Sequence, residues 1–168
     1  NINSVYKKGK KVFKTDLKDV QNKCEKKLLK RVYNTMNSSK ISMEDIKIKN
    51  EKAKIIGLIK DELITTDEGY TSKINIEKDI LKMCVIERHK NTGHIGVCFV
   101  KGYGLKKGAI ATSIAHDSHN IIVIGCSDND IVVAVNSIID MQGGMNIVEN
   151  NKVVEKLSLP IAGIMCDD

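Results

Sequence analysis

Apolar residues recur with two different periods along this chain of 168 residues. Short alternating or continuous apolar runs bounded by glycine, asparagine or aspartate are typical of β-strands. Predicted strands of this kind lie within residues 4–14, 46–48, 53–59, 63–66, 80–86, 95–100, 109–115, 121–125, 145–148 and 152–157. The run 80–86 is apolar almost throughout, which suits a strand buried on both faces.

Turn residues between these runs predict how neighbouring strands connect. Lys8-Gly9 predicts a hairpin within residues 4–14, and Asn150-Asn151 predicts a second hairpin near the end of the chain. Asp67-Glu68-Gly69 is expected to turn the chain after the strand at 63–66. The glycine-rich segment 101–108 is expected to join two paired strands through positive φ angles.

Two segments instead have the helical period of 3.6 residues. The first runs from Val20 to Met36, with Asp16 as its cap and Asn37 at its end. The second begins at Asp128 or Asn129 and has its apolar stripe at residues 131, 132, 135, 138 and 139. Since strands predominate and the two helices do not alternate with them, the predicted fold class is α+β, with mixed or antiparallel β-sheets.

The charge is distributed unevenly around a formal net value of +6. Residues 1–60 carry +11 and residues 61–168 carry −5. No aromatic residues are interleaved with the basic ones, so the N-terminal lysines indicate a solvated surface and no nucleic-acid partner. No apolar run approaches the roughly 18 residues that span a bilayer, so no membrane partner is expected.

The sulfur-containing residues indicate a reducing compartment and a packed core. Five cysteines occur without a C-x-x-C pair, which predicts reduced thiols and a cytoplasmic location. Those within or next to apolar runs are expected in the core, as are two methionines; these are Cys84, Cys98, Cys126, Met141 and Met145.

Candidate chemistry concentrates in two polar segments that border predicted strands. Residues 87–94 follow the strand at 80–86, and residues 115–120 precede the strand at 121–125; together they contain all four histidines. Rigid strand ends with polar loops are places where sites are commonly built. For residues 89–94 two interpretations stay open: a set that binds an anion or the edge of a heterocycle, and a loop that uses Asn91 and Thr92 for its own turn.

The polar segments and the glycine-rich segment between them suggest three kinds of chemistry, none of which the residue spacing favours. His116 and His119 have an H-x-x-H spacing and are weak metal-ligand candidates, but a zinc site needs about three protein ligands, so a structural loop is favoured. Asp117-Ser118-His119 has the residue types of a hydrolytic triad, yet adjacent positions cannot aim three side chains at one another. The spacing of Gly102, Gly104 and Gly108 fits no nucleotide-binding loop.

The order of several motifs resembles the C-terminal domain of bacterial adenine deaminase, in the amidohydrolase superfamily. These motifs are Glu87-Arg88-His89-Lys90-Asn91-Thr92-Gly93, residues 96–105, Gly108-Ala109-Ile110-Ala111, residues 115–121, Gln142-Gly143-Gly144 and Leu159-Pro160-Ile161-Ala162-Gly163. The resemblance covers residues 34–168, while Val5 to Phe13 looks like the last hairpin of a small β-sandwich in such enzymes. It divides the chain into residues 1–15 (hairpin remnant), 16–40 (helical connector) and 41–168 (adenine deaminase C-terminal-type domain).

The resemblance implies a part in purine salvage and adenine catabolism, in which adenine and water give hypoxanthine and ammonia. It implies a catalytic barrel as partner, with a divalent metal (Mn, Fe or Zn) bound there, and a homo-oligomer. A (β/α)₈ barrel takes about 200 residues or more, which this chain cannot hold, so no catalytic residue and no metal ligand is assigned in it. The chain alone is expected to be inactive and to need no cofactor.

Within the resemblance, five residues are candidates to face adenine or hypoxanthine at the mouth of the barrel: His89, Asn91, Asp117, His119 and Asn120. The resemblance thus implies a C-terminal accessory domain of an adenine deaminase that packs on the catalytic barrel and is not catalytic by itself. Two alternatives to this accessory domain stay open. One is a structural or oligomerisation module whose polar motifs are internal hydrogen-bond networks. The other is a free-standing protein that binds a small molecule.

Overall fold

A single eight-stranded sheet with one helix packed on it forms most of the fold. The computed structural model describes residues 4–14 and 30–166. The elements are β1 (Ser4–Lys7), β2 (Lys10–Lys14), β3 (Ala53–Leu58), β4 (Thr65–Thr71), β5 (Ile80–Ile86), β6 (Ile95–Lys101), β7 (Ala109–Thr112), β8 (Ile121–Gly125), α1 (Asp128–Asp140), β9 (Gly144–Glu149) and β10 (Lys152–Ser158). Among the described residues, no helix is long and apolar enough to cross a membrane.

The sheet has the strand order β10-β9-β7-β8-β5-β6-β3-β4. Only β3 and β6 pair in parallel, and the other neighbours are antiparallel. A mixed sheet with few helices is the predicted α+β class, which is therefore confirmed. The near-continuous apolar run of β5 lies between β6 and β8 in the middle of the sheet, as its composition predicted.

Both predicted hairpins are present. Strands β1 and β2 form a separate two-stranded sheet around Lys8 and Gly9, whose φ angles are 50° and 72°. Strands β9 and β10 pair around Asn150 and Asn151, with φ angles of 52° and 61°. Two consecutive positive φ angles match the right-handed twist of the flanking strands, and asparagine tolerates them better than most residues.

The first predicted helix lies largely outside the described residues. Its last described helical residues are 30–32, so its predicted continuation to Met36 was wrong. Met36 is nevertheless buried, because the extended chain after the helix packs against the sheet. The backbone N–H of Asn37 donates to the carbonyl of Arg88 over 2.8 Å, a long-range contact that helical periodicity does not reveal.

Two strand predictions near the sheet edge were also wrong. Strand β4 runs through Asp67-Glu68-Gly69, which was expected to be a turn, while Leu63 and Ile64 precede it and are exposed. Edge pairing with β3 explains the difference, since acidic side chains on an edge strand stay solvated while the backbone pairs. Ile46 lies in a turn rather than a strand, although its side chain is fully buried.

The glycine-rich segment 102–108 does not close a hairpin. Strand β6 pairs with β5 and β3, whereas β7 pairs with β8 and β9, so the segment crosses between strands that are not neighbours. The expected positive φ angles are present at Gly102, Gly104 and Gly108. At Gly108 a β-carbon would collide with the carbonyl oxygen of Val148, so close backbone approach also requires glycine there.

Helix α1 covers one face of the sheet. Its cap is Ser127 rather than the predicted Asp128 or Asn129; the Ser127 hydroxyl accepts a hydrogen bond from the N–H of Asp130 over 3.2 Å. Its buried apolar residues are Ile131, Ala134, Val135, Ile138 and Ile139. They form the main core with strand residues Cys84, Ile86, Ala109, Ala111, Ile121, Val123 and Val148 and with Met36, Ile41 and Ile46.

The sulfur-containing residues have different environments. Cys84 is fully buried, and burial raises the pKa of its thiol to about 12. Cys98 and Cys126 are half-buried, and Met141 packs against the main core. Met145 was expected in the core but is 43% exposed, because it points to the sheet face opposite the helix.

Candidate functional site

The polar segments meet at one end of the sheet. Residues 87–94 leave the end of β5, and residues 116–120 lead into the start of β8. Because β5 and β8 are antiparallel neighbours with Ile86 opposite Ile121, the end of one strand lies beside the start of the other. We call residues 87–94, residues 116–120 and the adjacent turn 159–165 the loop end.

Glu87 organises the first of these segments. Its carboxylate accepts hydrogen bonds from the backbone N–H groups of His89, Lys90 and Thr92 at 2.5, 2.9 and 3.1 Å, and from the Thr92 hydroxyl at 3.1 Å. These donors, the N–H of Thr92 foremost, lower the pKa of Glu87 to about 2. Glu87 was not selected from the sequence; the signal available was a carboxylate directly before a loop rich in backbone donors.

Asn91 binds a different part of the chain. Its side-chain oxygen accepts from the backbone N–H of Ser39 at 3.0 Å and from the Ser39 hydroxyl at 3.1 Å. It therefore connects Ser39 to the loop end through two exposed hydrogen bonds.

His89 connects the two polar segments. Its Nε2 atom lies 2.7 Å from the carbonyl oxygen of Ser118. Since a carbonyl oxygen only accepts hydrogen bonds, Nε2 is the donor. The side chain of His89 therefore holds the backbone of residues 116–120 in place.

Arg88 fixes the same segments from the interior. The residue is 2% exposed, its Nε donates to the carbonyl of His119, and its Nη2 donates to the carbonyl of Ala162 over 3.1 Å. Burial lowers its pKa, and in the described part of the chain no carboxylate forms an ion pair with it. A β-carbon on Gly163 would lie 2.6 Å from Nη1, so glycine makes room for the guanidinium.

Residues 116–120 combine exposed and half-buried polar groups. His116, Asp117 and Ser118 are exposed, whereas His119 and Asn120 are half-buried. The rings of His116 and His119 lie edge to face with their centroids 5.0 Å apart. His119 Nδ1 and Asn120 Oδ1 are buried atoms for which the described residues supply no hydrogen-bond partner.

The described residues do not fit a metal centre. Across residues 4–14 and 30–166, no group of three or more His, Cys, Asp or Glu side chains is placed to share an ion. His89 directs its Nε2 to a carbonyl oxygen instead, leaving His116 and His119 as a pair. Two ligands are fewer than a zinc site requires.

Four of the five predicted site residues lie around the contact between the two polar segments; these are His89, Asp117, His119 and Asn120. The fifth, Asn91, lies in the loop end too, but its side chain contacts another part of the chain, where its oxygen binds Ser39. The glycine-rich segment 102–108 lies at the opposite end of the sheet, where β6 ends and β7 begins. Sequence reasoning did not select Arg88, whose partners are 31 and 74 residues away.

Comparison with known proteins identifies families and proteins whose sequences are similar to this chain. Residues 57–168 match the sequence model described as the adenine deaminase C-terminal domain. The chain is 46% identical over 145 residues to adenine deaminase 2 of Carboxydothermus hydrogenoformans, a match that covers 81% of this chain and 25% of that protein.

Two further relatives match nearly the whole chain. The adenine deaminase of Petrotoga mobilis is 39% identical over 99% of this chain and 31% of its own length. That of Clostridium acetobutylicum is 40% identical over 98% of this chain and 30% of its own length. The chain thus spans between a quarter and a third of the length of these relatives.

Proposed function

Because this chain belongs to the family of adenine deaminase C-terminal domains, we propose that it is the accessory, non-catalytic part of an adenine deaminase. The enzyme as a whole converts adenine and water to hypoxanthine and ammonia in a cytoplasmic salvage reaction. The observation that carries this proposal is the match to full-length adenine deaminases over 98–99% of this chain but only 30–31% of theirs.

The catalytic machinery belongs to the part that this chain does not match. A divalent metal in that catalytic barrel supplies the activated water. The described residues of this chain offer no ligand set for such an ion. We propose the division into residues 1–15, 16–40 and 41–168, supported by the separate two-stranded sheet of the N-terminal hairpin.

The loop end is proposed to face the mouth of the catalytic barrel. Adenine offers an amino group that donates hydrogen bonds and ring nitrogens that accept them. The exposed carboxylate of Asp117 supplies acceptors for such a donor, and the side chains of His119 and Asn120 supply both types of group. These three residues are the proposed contacts with adenine or hypoxanthine.

His89 and Asn91 act indirectly in this proposal. Both use a side-chain polar atom for a contact within the domain, to Ser118 and Ser39 respectively. They position the loop end, and Arg88 and Glu87 support the same segments through the backbone. A site held by such contacts keeps its geometry when a ligand arrives, which is what pre-organised binding requires.

A chimeric enzyme tests the proposal directly. The C-terminal part of the Petrotoga mobilis enzyme that matches this chain is replaced by this chain, and ammonia release from adenine is measured. We expect activity within about tenfold of the parent enzyme, a difference of at most about 1.4 kcal/mol in the activation barrier, because the exchanged part is 39% identical to the part it replaces. A variant that ends before the exchanged part serves as the control.

The outcomes separate the accessory role from its alternatives. A chimera that folds but is no more active than the truncated control contradicts the proposed function. An active chimera in which substitutions at Asp117 and His119 change neither kcat nor KM supports a structural module instead of a site at the barrel mouth.

A further inference from the structure

Within residues 4–14 and 30–166, the sheet face opposite the helix is covered over one half only. Away from the loop end, Leu81, Val100 and Ile124 are buried under Ile74 and Leu105. These covering residues come from the segments 72–79 and 102–108, which belong to the far end of the sheet. This half of the face therefore forms a second, smaller hydrophobic core.

The other half is open. Met145, Ile147 and Leu157 are 43%, 47% and 55% exposed. With Ile110 they line a groove of about 420 Å³ across β7, β9 and β10. Half-buried residues continue the same face towards the sheet centre; they are Val85, Cys98, Thr112 and Ile122. We call these residues the open face.

The open face borders the loop end. Met145 is the second residue of β9, where it lies opposite Leu157 on one side and Thr112 on the other. Just beyond Thr112, the N–H of Ser113 donates to the carbonyl of Gly144 over 2.9 Å, and the Ser113 hydroxyl donates to Gly163 in the loop-end turn at 2.5 Å. A body seated on the open face would therefore also contact the rim of the loop end.

We propose that the open face is the surface through which this domain docks on the catalytic part of adenine deaminase, an inference that rests on the proposed function. The relatives carry 69–75% of their length outside the matched region, so a large folded body adjoins this domain in them. An apolar centre with a polar rim is the usual composition of a protein interface. The partner surface is accordingly apolar opposite Met145, Ile147 and Leu157.

Edge-to-edge pairing of β10 with a second copy of the chain is disfavoured. Strand β10 forms the sheet edge beside the groove, and Lys152, Glu155 and Lys156 are all exposed along it. Charged residues on an edge strand disfavour pairing with an identical edge. The catalytic part needs no such pairing to reach the open face, and in the relatives it makes up the 69–75% of the length that lies outside the matched region.

Cysteine labelling measures docking without depending on activity. Ile147→Cys places a thiol on the open face, and Leu63→Cys places one at a fully exposed position outside it. Each variant is made in this chain alone and in the chimeric enzyme, and maleimide labelling is followed by peptide mass spectrometry. We expect the Ile147→Cys thiol to react at least about tenfold more slowly in the chimera, with Leu63→Cys unchanged, as protection by a packed surface requires.

The same data distinguish failure of the docking surface from failure of the proposed function. An active chimera in which Ile147→Cys reacts as fast as in the chain alone overturns the docking proposal and leaves the function standing. A protected thiol in an inactive chimera supports docking while contradicting the function.

Sedimentation of the chain alone supplies a second measurement. A concentration-dependent dimer that Ile147→Asp abolishes and Leu63→Asp does not would assign the open face to a second copy and overturn the proposal. A chain whose sedimentation is unaffected by Ile147→Asp supports it.

Discussion

The Nε2 atom of His89 and the carbonyl oxygen of Ser118 lie 2.7 Å apart, and this contact joins the two polar segments of the loop end. Replacing His89 by leucine removes the donor. We expect a loss of about 1 kcal/mol in the free energy of unfolding, typical of a single hydrogen bond, and faster amide exchange in residues 116–120. Urea denaturation and hydrogen exchange measure the two effects.

His94→Leu is the matched control for this prediction. His94 is also an exposed histidine of the loop end, but the structure records only backbone hydrogen bonds for it. Equal effects of the two substitutions on exchange in residues 116–120 would contradict a specific role for His89.

Glu87 gives the loop end a pH dependence of defined sign. Its pKa is about 2 in the folded protein, below the ordinary value of 4.5. Between these values the unfolded chain binds more protons, so this contribution to stability is complete above pH 4.5 and is lost as the pH falls towards 2. We expect Glu87→Gln to lower stability at neutral pH and to make the acid-induced loss of stability shallower.

Unfolding curves at several pH values between 2 and 7 test this expectation. Glu62→Gln is the control, because Glu62 is exposed and outside the loop end. If the free energy of unfolding depends on pH in the same way for the Glu87→Gln protein and the unsubstituted protein, the hydrogen bonds to the Glu87 carboxylate do not contribute to stability.

Helix α1 offers a comparison between a buried and an exposed ion pair. At the start of the helix, Lys82 Nζ lies 2.7 Å from Asp128 Oδ1, and the Lys82 side chain is 7% exposed. At the end of the helix, Asp140 forms an ion pair with Lys40, and these two side chains are 59% and 61% exposed. Asp128→Ala leaves a buried ammonium without its partner, so we expect a loss of about 3 kcal/mol. Asp140→Ala should cost less than about 1 kcal/mol.

Guanidinium denaturation of the two variants measures the difference. Asp128 lies in the first turn of the helix and Asp140 at its end, so the helix dipole stabilises the first carboxylate and not the second, and about 0.3–1 kcal/mol of the expected difference comes from this effect. Similar losses in the two proteins would indicate that Lys82 becomes solvated when Asp128 is removed.

Substitutions of Asp117 and His119 test directly whether these side chains contact the substrate. In the chimeric enzyme we expect Asp117→Asn and His119→Gln each to lower kcat/KM for adenine by about tenfold, because a hydrogen bond to substrate contributes roughly 1–1.5 kcal/mol. Asp61→Asn, an exposed position after β3, is the control. Thermal unfolding checks that the variants remain folded.

The thiols provide a test of the core. Burial raises the pKa of Cys84 to about 12, whereas Cys166 is exposed. Thiolate is the reactive form, so at pH 8 we expect iodoacetamide to modify Cys166 and to leave Cys84 unmodified until the protein unfolds. Modification of Cys84 at the rate of Cys166 in the folded protein would place β5 outside the core.

Much of the fold was readable from local pattern. The 3.6-residue period of 131–139 indicates helix α1, the apolar run of 80–86 indicates a central strand, and Asn150-Asn151 indicates a hairpin. Each depends on neighbours within one element, where side-chain direction follows from residue spacing. The order of polar motifs was likewise sufficient for the resemblance to the adenine deaminase family.

The sequence by itself thus determined most of the elements, the fold class and the family, but not how distant segments meet. The placement of β7 between β8 and β9, the extended passage through Asp67 and the burial of Met36 outside a helix depend on pairing across many residues. The same holds for the contacts of Arg88 and His89 and for the open face around Met145. Only the tertiary structure decides these, because the free energy of a long-range contact depends on which surfaces the whole chain brings together.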